Sequence, residues 1–121
     1  MISPTPTLPA SMKYVAITTP GAAELMHIAT GPLPAFTEND VLIKVEFAGV
    51  NRPDVAQRSG NYAPPPGASP IMGLEVSGTI VAIGSAVTAW KIGDSVCALT
   101  PGGGYAEYCA APAAHCLPVP M

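Results

Sequence analysis

Proline and glycine divide this chain into short pieces, and that punctuation limits the fold more than any other feature. Fifteen prolines and twelve glycines lie among its 121 residues. Between Tyr62 and Pro70 alone stand Pro64, Pro65, Pro66, Gly67 and Pro70. Proline lacks the N–H that a strand ladder needs, so this segment is expected to run as an extended loop of the kind that walls a cleft. The pieces on either side carry β-branched and aromatic residues. Strands are expected over Met12 to Thr19, closed by Pro20-Gly21, and over Glu24 to Thr30. The clearest strand is Val41 to Val50, where Leu42, Lys44 and Glu46 alternate imperfectly with Val41, Ile43, Val45 and Phe47.

At Asn51 the pattern changes. Asn51-Arg52-Pro53-Asp54 has the order of a helix start, with Asn51 as the cap and Pro53 in the first turn, and Val55 to Arg58 make a short helix that Gly60 stops. Gly73 to Gly84 reads as a long strand bent at its glycines. Trp90 to Asp94 turns into a strand over Ser95 to Thr100, and Gly102-Gly103-Gly104 separates it from another over Tyr105 to Ala110. His115 to Pro120 is a last edge strand or a turn. Together these pieces predict a mostly β (α+β) domain, a partly open β-barrel with one or two short helices. Residues 1–11, with Pro4, Pro6 and Pro9, read as a flexible arm and 12–121 as the domain.

Hydrophobic residues make up 49% of the chain and charged ones 11%, so little charge is left to cover the outside and part of the surface is expected to meet a partner. The net charge is −3, and Lys13, Lys44, Arg52, Arg58 and Lys91 are scattered, which argues against nucleic acid as a ligand. No apolar run approaches a membrane span. Cys97, Cys109 and Cys116 are odd in number and lack C-x-x-C spacing, which suits neither a disulfide framework nor a zinc knuckle and predicts the reducing cytoplasm. A metal held by Cys97, Cys109, His115 and Cys116 would need ligands at irregular spacing; small buried residues near strand ends account for them better.

Several ordered blocks carry a resemblance. Ala48-Gly49-Val50-Asn51-Arg52-Pro53-Asp54, Gln57-Arg58-Ser59-Gly60-Asn61-Tyr62 and Pro70-Ile71-Met72-Gly73-Leu74-Glu75-Val76-Ser77-Gly78 are followed by Gly93-Asp94-Ser95-Val96 and Gly104-Tyr105-Ala106-Glu107-Tyr108. Any one block is weak, but their order and spacing from Met12 to Pro120 are specific. The chain resembles the N-terminal, GroES-like catalytic domain of the medium-chain dehydrogenase/reductase superfamily, in its zinc-independent quinone oxidoreductase group. In that superfamily's zinc alcohol dehydrogenases the positions matching Asn51 and Leu74 hold a Cys and a His that bind the catalytic metal. An amide and an alkyl group cannot replace them, so no metal is expected.

The resemblance implies NADPH, or NADH, as hydride donor and a quinone or enone as acceptor. No strand, Gly-rich turn and helix of the Rossmann kind occurs here: Gly102-Gly103-Gly104 leads into another strand-like segment. The chain is therefore expected to be the substrate side alone, inactive by itself and packing on its own Rossmann domain; the resemblance implies that a homodimer is possible and leaves the oligomeric state open. An enoyl or alkenal reductase of the same superfamily and a non-enzymatic GroES-like binding module are the alternatives. The Pro-rich loop is too stiff for the mobile loop of a co-chaperonin.

Reduction without a metal needs donors aimed at the oxygens that gain charge. The resemblance places Asn51 and Tyr62 at the cleft facing the nicotinamide, as catalytic residues; an amide donates a hydrogen bond, and a phenol a hydrogen bond or a proton. Capping a helix explains Asn51 as well, and packing on prolines explains Tyr62. Asn51, Arg52 and Asp54 are the expected cofactor contacts, although Asp54 also suits a helix N-terminus as a charge or as an orienting group. Tyr62, Met72, Leu74 and Glu75 are expected to form or support the substrate pocket. Glu75, in an apolar strand, calls for a cation such as Arg52 or for hydrogen bonds.

Overall fold

The computed structural model describes residues 8–120, so the arm expected over 1–11 lies mostly outside the described residues. Seven strands and one helix follow in the order β1 (Met12–Ile17), β2 (Met26–Gly31), β3 (Asp40–Ala48), α1 (Arg52–Arg58), β4 (Glu75–Ile83), β5 (Ser95–Leu99), β6 (Tyr108–Pro112) and β7 (Cys116–Pro118). Two single 3-10 turns, Ala23–Leu25 and Ala113–His115, stand before β2 and β7. This is the mostly β, partly open architecture that the Gly and Pro spacing predicts. Among the described residues no helix is long and apolar enough to cross a membrane.

The main sheet runs β6-β3-β4-β5-β7, antiparallel throughout, and β1 pairs with β2 as a separate hairpin. Val41 and Ile43 from β3, Val76 and Ile80 from β4, Val96 and Ala98 from β5, and Cys109 and Ala111 from β6 form the core with Cys116. The period of two within β4, β5 and β6 puts those side chains on one face. Each fully buried Val or Ile contributes about 1.5–3 kcal/mol of apolar transfer. Trp90 packs against this cluster and donates its Nε1–H to Ala113 O at 3.2 Å.

The imperfect alternation of β3 has a physical cause. Leu42 pairs with Ala82 and Ile43 with Ile80, so Val81 bulges from β4; Val45 pairs with Gly78 and Phe47 with Ser77, so Glu46 bulges from β3. After the second bulge Phe47 faces outward, 73% exposed, while Ala48 returns to the core side.

Several boundaries differ from expectation: β1 ends at Ile17 and β3 at Ala48, each two residues early. The strand expected from Glu24 begins at Met26 because Ala23–Leu25 turns first. Of the long strand expected over Gly73 to Gly84, the flanking glycines fall outside β4. Tyr105 to Glu107 precede β6 instead of opening it, because their backbone serves the hairpin: Tyr105 O accepts from Val15 N–H at 2.9 Å, and Glu107 N–H donates to Lys13 O at 3.0 Å.

Candidate functional site

β3 ends at Ala48, and Gly49 N–H donates to Glu75 O at 2.9 Å, which brings the strand end beside the start of β4. Asn51 follows in extended conformation (φ −128°, ψ 159°) as the cap of α1, with Pro53 in the first turn, as the residue order predicts. Its side-chain amide reaches across to β4: Nδ2 lies 3.2 Å from Glu75 Oε1. Glu75 is exposed at the sheet end, and of the two kinds of partner its apolar neighbours called for, a cation or a hydrogen bond, it has the hydrogen bond, from this amide. The amide carries two N–H groups, and one carboxylate oxygen engages one of them.

Asp54, three residues into the cap box, is 2% exposed. Its Oδ2 accepts Asn51 N–H at 2.9 Å and the Tyr105 hydroxyl at 2.8 Å, whereas Oδ1 has no hydrogen-bond partner among the described residues. Burial, and next the Asp54 carboxylate, hold the Tyr105 phenol above its usual range, so it stays a neutral donor. Gly73 (φ 106°) and Gly104 allow the chain before β4 and the chain before β6 to meet backbone on backbone; Tyr105 N–H then donates to Met72 O at 2.8 Å.

The expected site residues separate into two groups. Asn51, Asp54 and Glu75 are brought together. Arg52 is exposed at the first position of α1 and makes no ion pair among the described residues. Tyr62 is half-buried in the Pro-rich loop and has no hydrogen bond to Asn51, Asp54 or Glu75 among the described residues. Met72 is buried and borders, with Asp54 and Tyr105, a cavity of about 180 Å³; Leu74 is half-buried and its carbonyl accepts Thr100 N–H at 2.9 Å. Tyr105 is the residue that sequence reasoning missed. Its partner lies 51 positions away, and the only local signal is a phenol directly after the glycine that forms the backbone contact.

The sheet face beside Asn51 is apolar and open. Phe47, Ser77, Cys97 and Leu117 form one cross-strand row, and Glu75 pairs with Leu99 in the next. Phe47, Leu99, Leu117 and Val50 are all exposed, Val50 at 79%. A concavity of about 530 Å³ between the hairpin and β3 is a separate trough lined by Tyr14, Ile28, Val45 and Tyr105 among others, and neither Asn51 nor Glu75 borders it. Convergent polar chemistry therefore sits on the rim of the open face, not in this trough.

Asn51 and Leu74 offer an amide and an alkyl group, and among the described residues no group of three or more His, Cys, Asp or Glu side chains is arranged to hold a metal ion.

Residues 37–121 match the alcohol dehydrogenase GroES-like domain. A quinone oxidoreductase of Lama guanicoe is 39% identical over 80% of this chain and 30% of its own length. An uncharacterized zinc-type alcohol dehydrogenase-like protein of Escherichia coli is 40% identical over 69% of this chain and 25% of its own. Among solved structures, a mycobacterial protein complexed with NADPH superposes with a TM-score of 0.76 at 35% identity, covering 90% of this chain and 32% of that one. The chain spans about a third of the length of the curated relatives it matches.

Proposed function

Because this chain belongs to the alcohol dehydrogenase GroES-like domain family, we propose that it forms the acceptor side of an NAD(P)H-dependent quinone oxidoreductase. The observation that carries the reading is the Asn51 amide, held by Glu75 at 3.2 Å on the edge of an uncovered apolar face. A flat ring lies on Phe47, Val50 and their neighbours, and the same face receives the enzyme's own nucleotide-binding domain. The identity to quinone oxidoreductases and to a protein solved with NADPH supports the class of acceptor and donor.

The cofactor fits this chain at its nicotinamide end only. The open apolar face suits a planar ring, while the single described helix has seven residues and opens on the Asn51 cap rather than on a Gly-rich phosphate turn. When bound, NADPH supplies a hydride to the acceptor. Glu75 takes one N–H of the Asn51 amide and so fixes the rotation of that group. The second N–H donates to the acceptor carbonyl oxygen, which gains negative charge as the ring is reduced. Asp54 holds the Asn51 backbone from the other side. The donor is a neutral amide, so no metal is required for this stabilisation.

The test is NADPH oxidation by the intact protein with 1,4-benzoquinone, an enone or an aldehyde as acceptor, with and without a zinc chelator. Quinone turnover that survives chelation supports the reading. Alcohol-aldehyde interconversion abolished by chelation would replace it with a zinc dehydrogenase, and enone turnover without quinone turnover with an alkenal reductase.

A further inference from the structure

Asp54 is a buried carboxylate whose contacts are all on one oxygen. Oδ2 accepts from Asn51 N–H at 2.9 Å and from the Tyr105 hydroxyl at 2.8 Å, and Oδ1 is buried without a partner among the described residues. A carboxylate turns about its Cβ–Cγ bond unless both oxygens, or two directions at one, are held. Among the described residues only Tyr105 supplies the second direction.

Tyr105 itself is fixed. Its N–H donates to Met72 O at 2.8 Å, its carbonyl accepts from Val15 N–H at 2.9 Å, and the next residue forms a β-bridge with Tyr14. A Cβ at Gly73 would stand 2.6 Å from the Tyr105 nitrogen, so the strand-to-strand approach that seats it tolerates no side chain there. The phenol therefore reaches Asp54 from the hairpin side, while Asn51 reaches the same oxygen from the helix side.

We propose that Tyr105 is a positioning residue for Asn51: through Asp54 Oδ2 it sets the placement of the Asn51 backbone, and with Glu75 the aim of the amide donor. The inference rests on the reading of Asn51 as the donor to the acceptor oxygen. Tyr105 does not touch the acceptor, and its loss acts only where Asn51 is present to be misplaced.

A double-mutant cycle in the intact protein tests this. Quinone reduction with NADPH is measured for the wild type, Tyr105→Phe, Asn51→Ala and the pair. Tyr105→Phe is expected to lower kcat about tenfold with KM within about twofold, and to change kcat less than about twofold in the Asn51→Ala background. Asp54→Ala, which removes the oxygen that both donors share, supplies the same cycle with the same expected non-additivity, and Asp54→Asn, which keeps an acceptor oxygen at that place, should restore most of the rate. A fall with Asn51→Ala but none with Tyr105→Phe or Asp54→Ala overturns the positioning role and leaves the donor reading standing. Equal losses in both backgrounds also overturn it, because the clasp then serves the fold alone. Full turnover by Asn51→Ala removes the donor reading and this inference together.

Discussion

The Asn51 amide nitrogen lies 3.2 Å from Glu75 Oε1, across 24 residues of chain, and joins the cap of α1 to the first residue of β4. Glu75 is exposed, so the contact contributes little to stability, in the range of about 0–1 kcal/mol found for surface polar pairs. Its effect is on direction. Glu75→Ala should lower kcat for quinone reduction by about tenfold and leave the thermal midpoint nearly unchanged, as expected for an orienting contact. Glu75→Gln retains an acceptor at the Oε1 position and should restore most of the rate. Equal rates for the Ala variant and the wild type would show that the amide needs no partner.

The meeting of Gly73 with Gly104 should be the most substitution-sensitive backbone contact near the site. An added Cβ at Gly73 would stand 2.6 Å from Tyr105 N and 2.7 Å from Gly104 Cα, at a φ of 106°. Gly73→Ala is expected to cost about 3 kcal/mol or more, from overpacking together with left-handed strain. Gly67 has a similar φ of 82° with nothing near its missing Cβ, so Gly67→Ala should cost only about 1 kcal/mol. Urea unfolding followed by the fluorescence of the single Trp90 compares the two; equal costs would contradict the packing argument.

Burial pushes the Cys109 thiol up to about 11, against a weaker downward pull from its hydrogen bond with Thr100. Burial also raises Cys116, with the neighbouring Cys97 adding to it. Between about pH 8.5, where an unfolded thiol ionises, and about 11, the unfolded chain has released a proton that folded Cys109 keeps. Stability must therefore fall as pH rises through that window, by about 2–3 kcal/mol for this group. Unfolding free energies at pH 8 and 10.5 for the wild type and Cys109→Ala measure it: the wild type should lose more than the variant. At pH 8 a thiol reagent should label half-buried Cys97 before either of the other two.

Much of the framework is legible in the sequence because its signals are local. Asn51, Pro53 and Asp54 announce the helix start within four positions, and β3 and β5 show in the residues that form them. The site is less legible because its contacts are distant. Nothing near Glu75 shows that its strand end opens on solvent beside Asn51, so a buried charge needing a cation or hydrogen bonds is the reading its apolar neighbours favour. Tyr62 and Tyr105 are both phenols after loop residues, and only the fold shows that Tyr105 reaches Asp54 while Tyr62 stays in the Pro-rich loop. The start of β6 was displaced for the same reason, since Tyr105 to Glu107 bond to residues some ninety positions earlier.

The most direct measurement is NADPH-dependent quinone turnover by Asn51→Asp in the intact protein. Asp caps a helix as well as Asn does and has nearly the same shape, but at neutral pH it has no N–H to donate. The account predicts a fall in kcat of about 100-fold, the scale of losing one donor to a developing oxyanion, with the fold retained by circular dichroism. Wild-type turnover by the folded Asp variant would contradict the assignment of Asn51 as the donor.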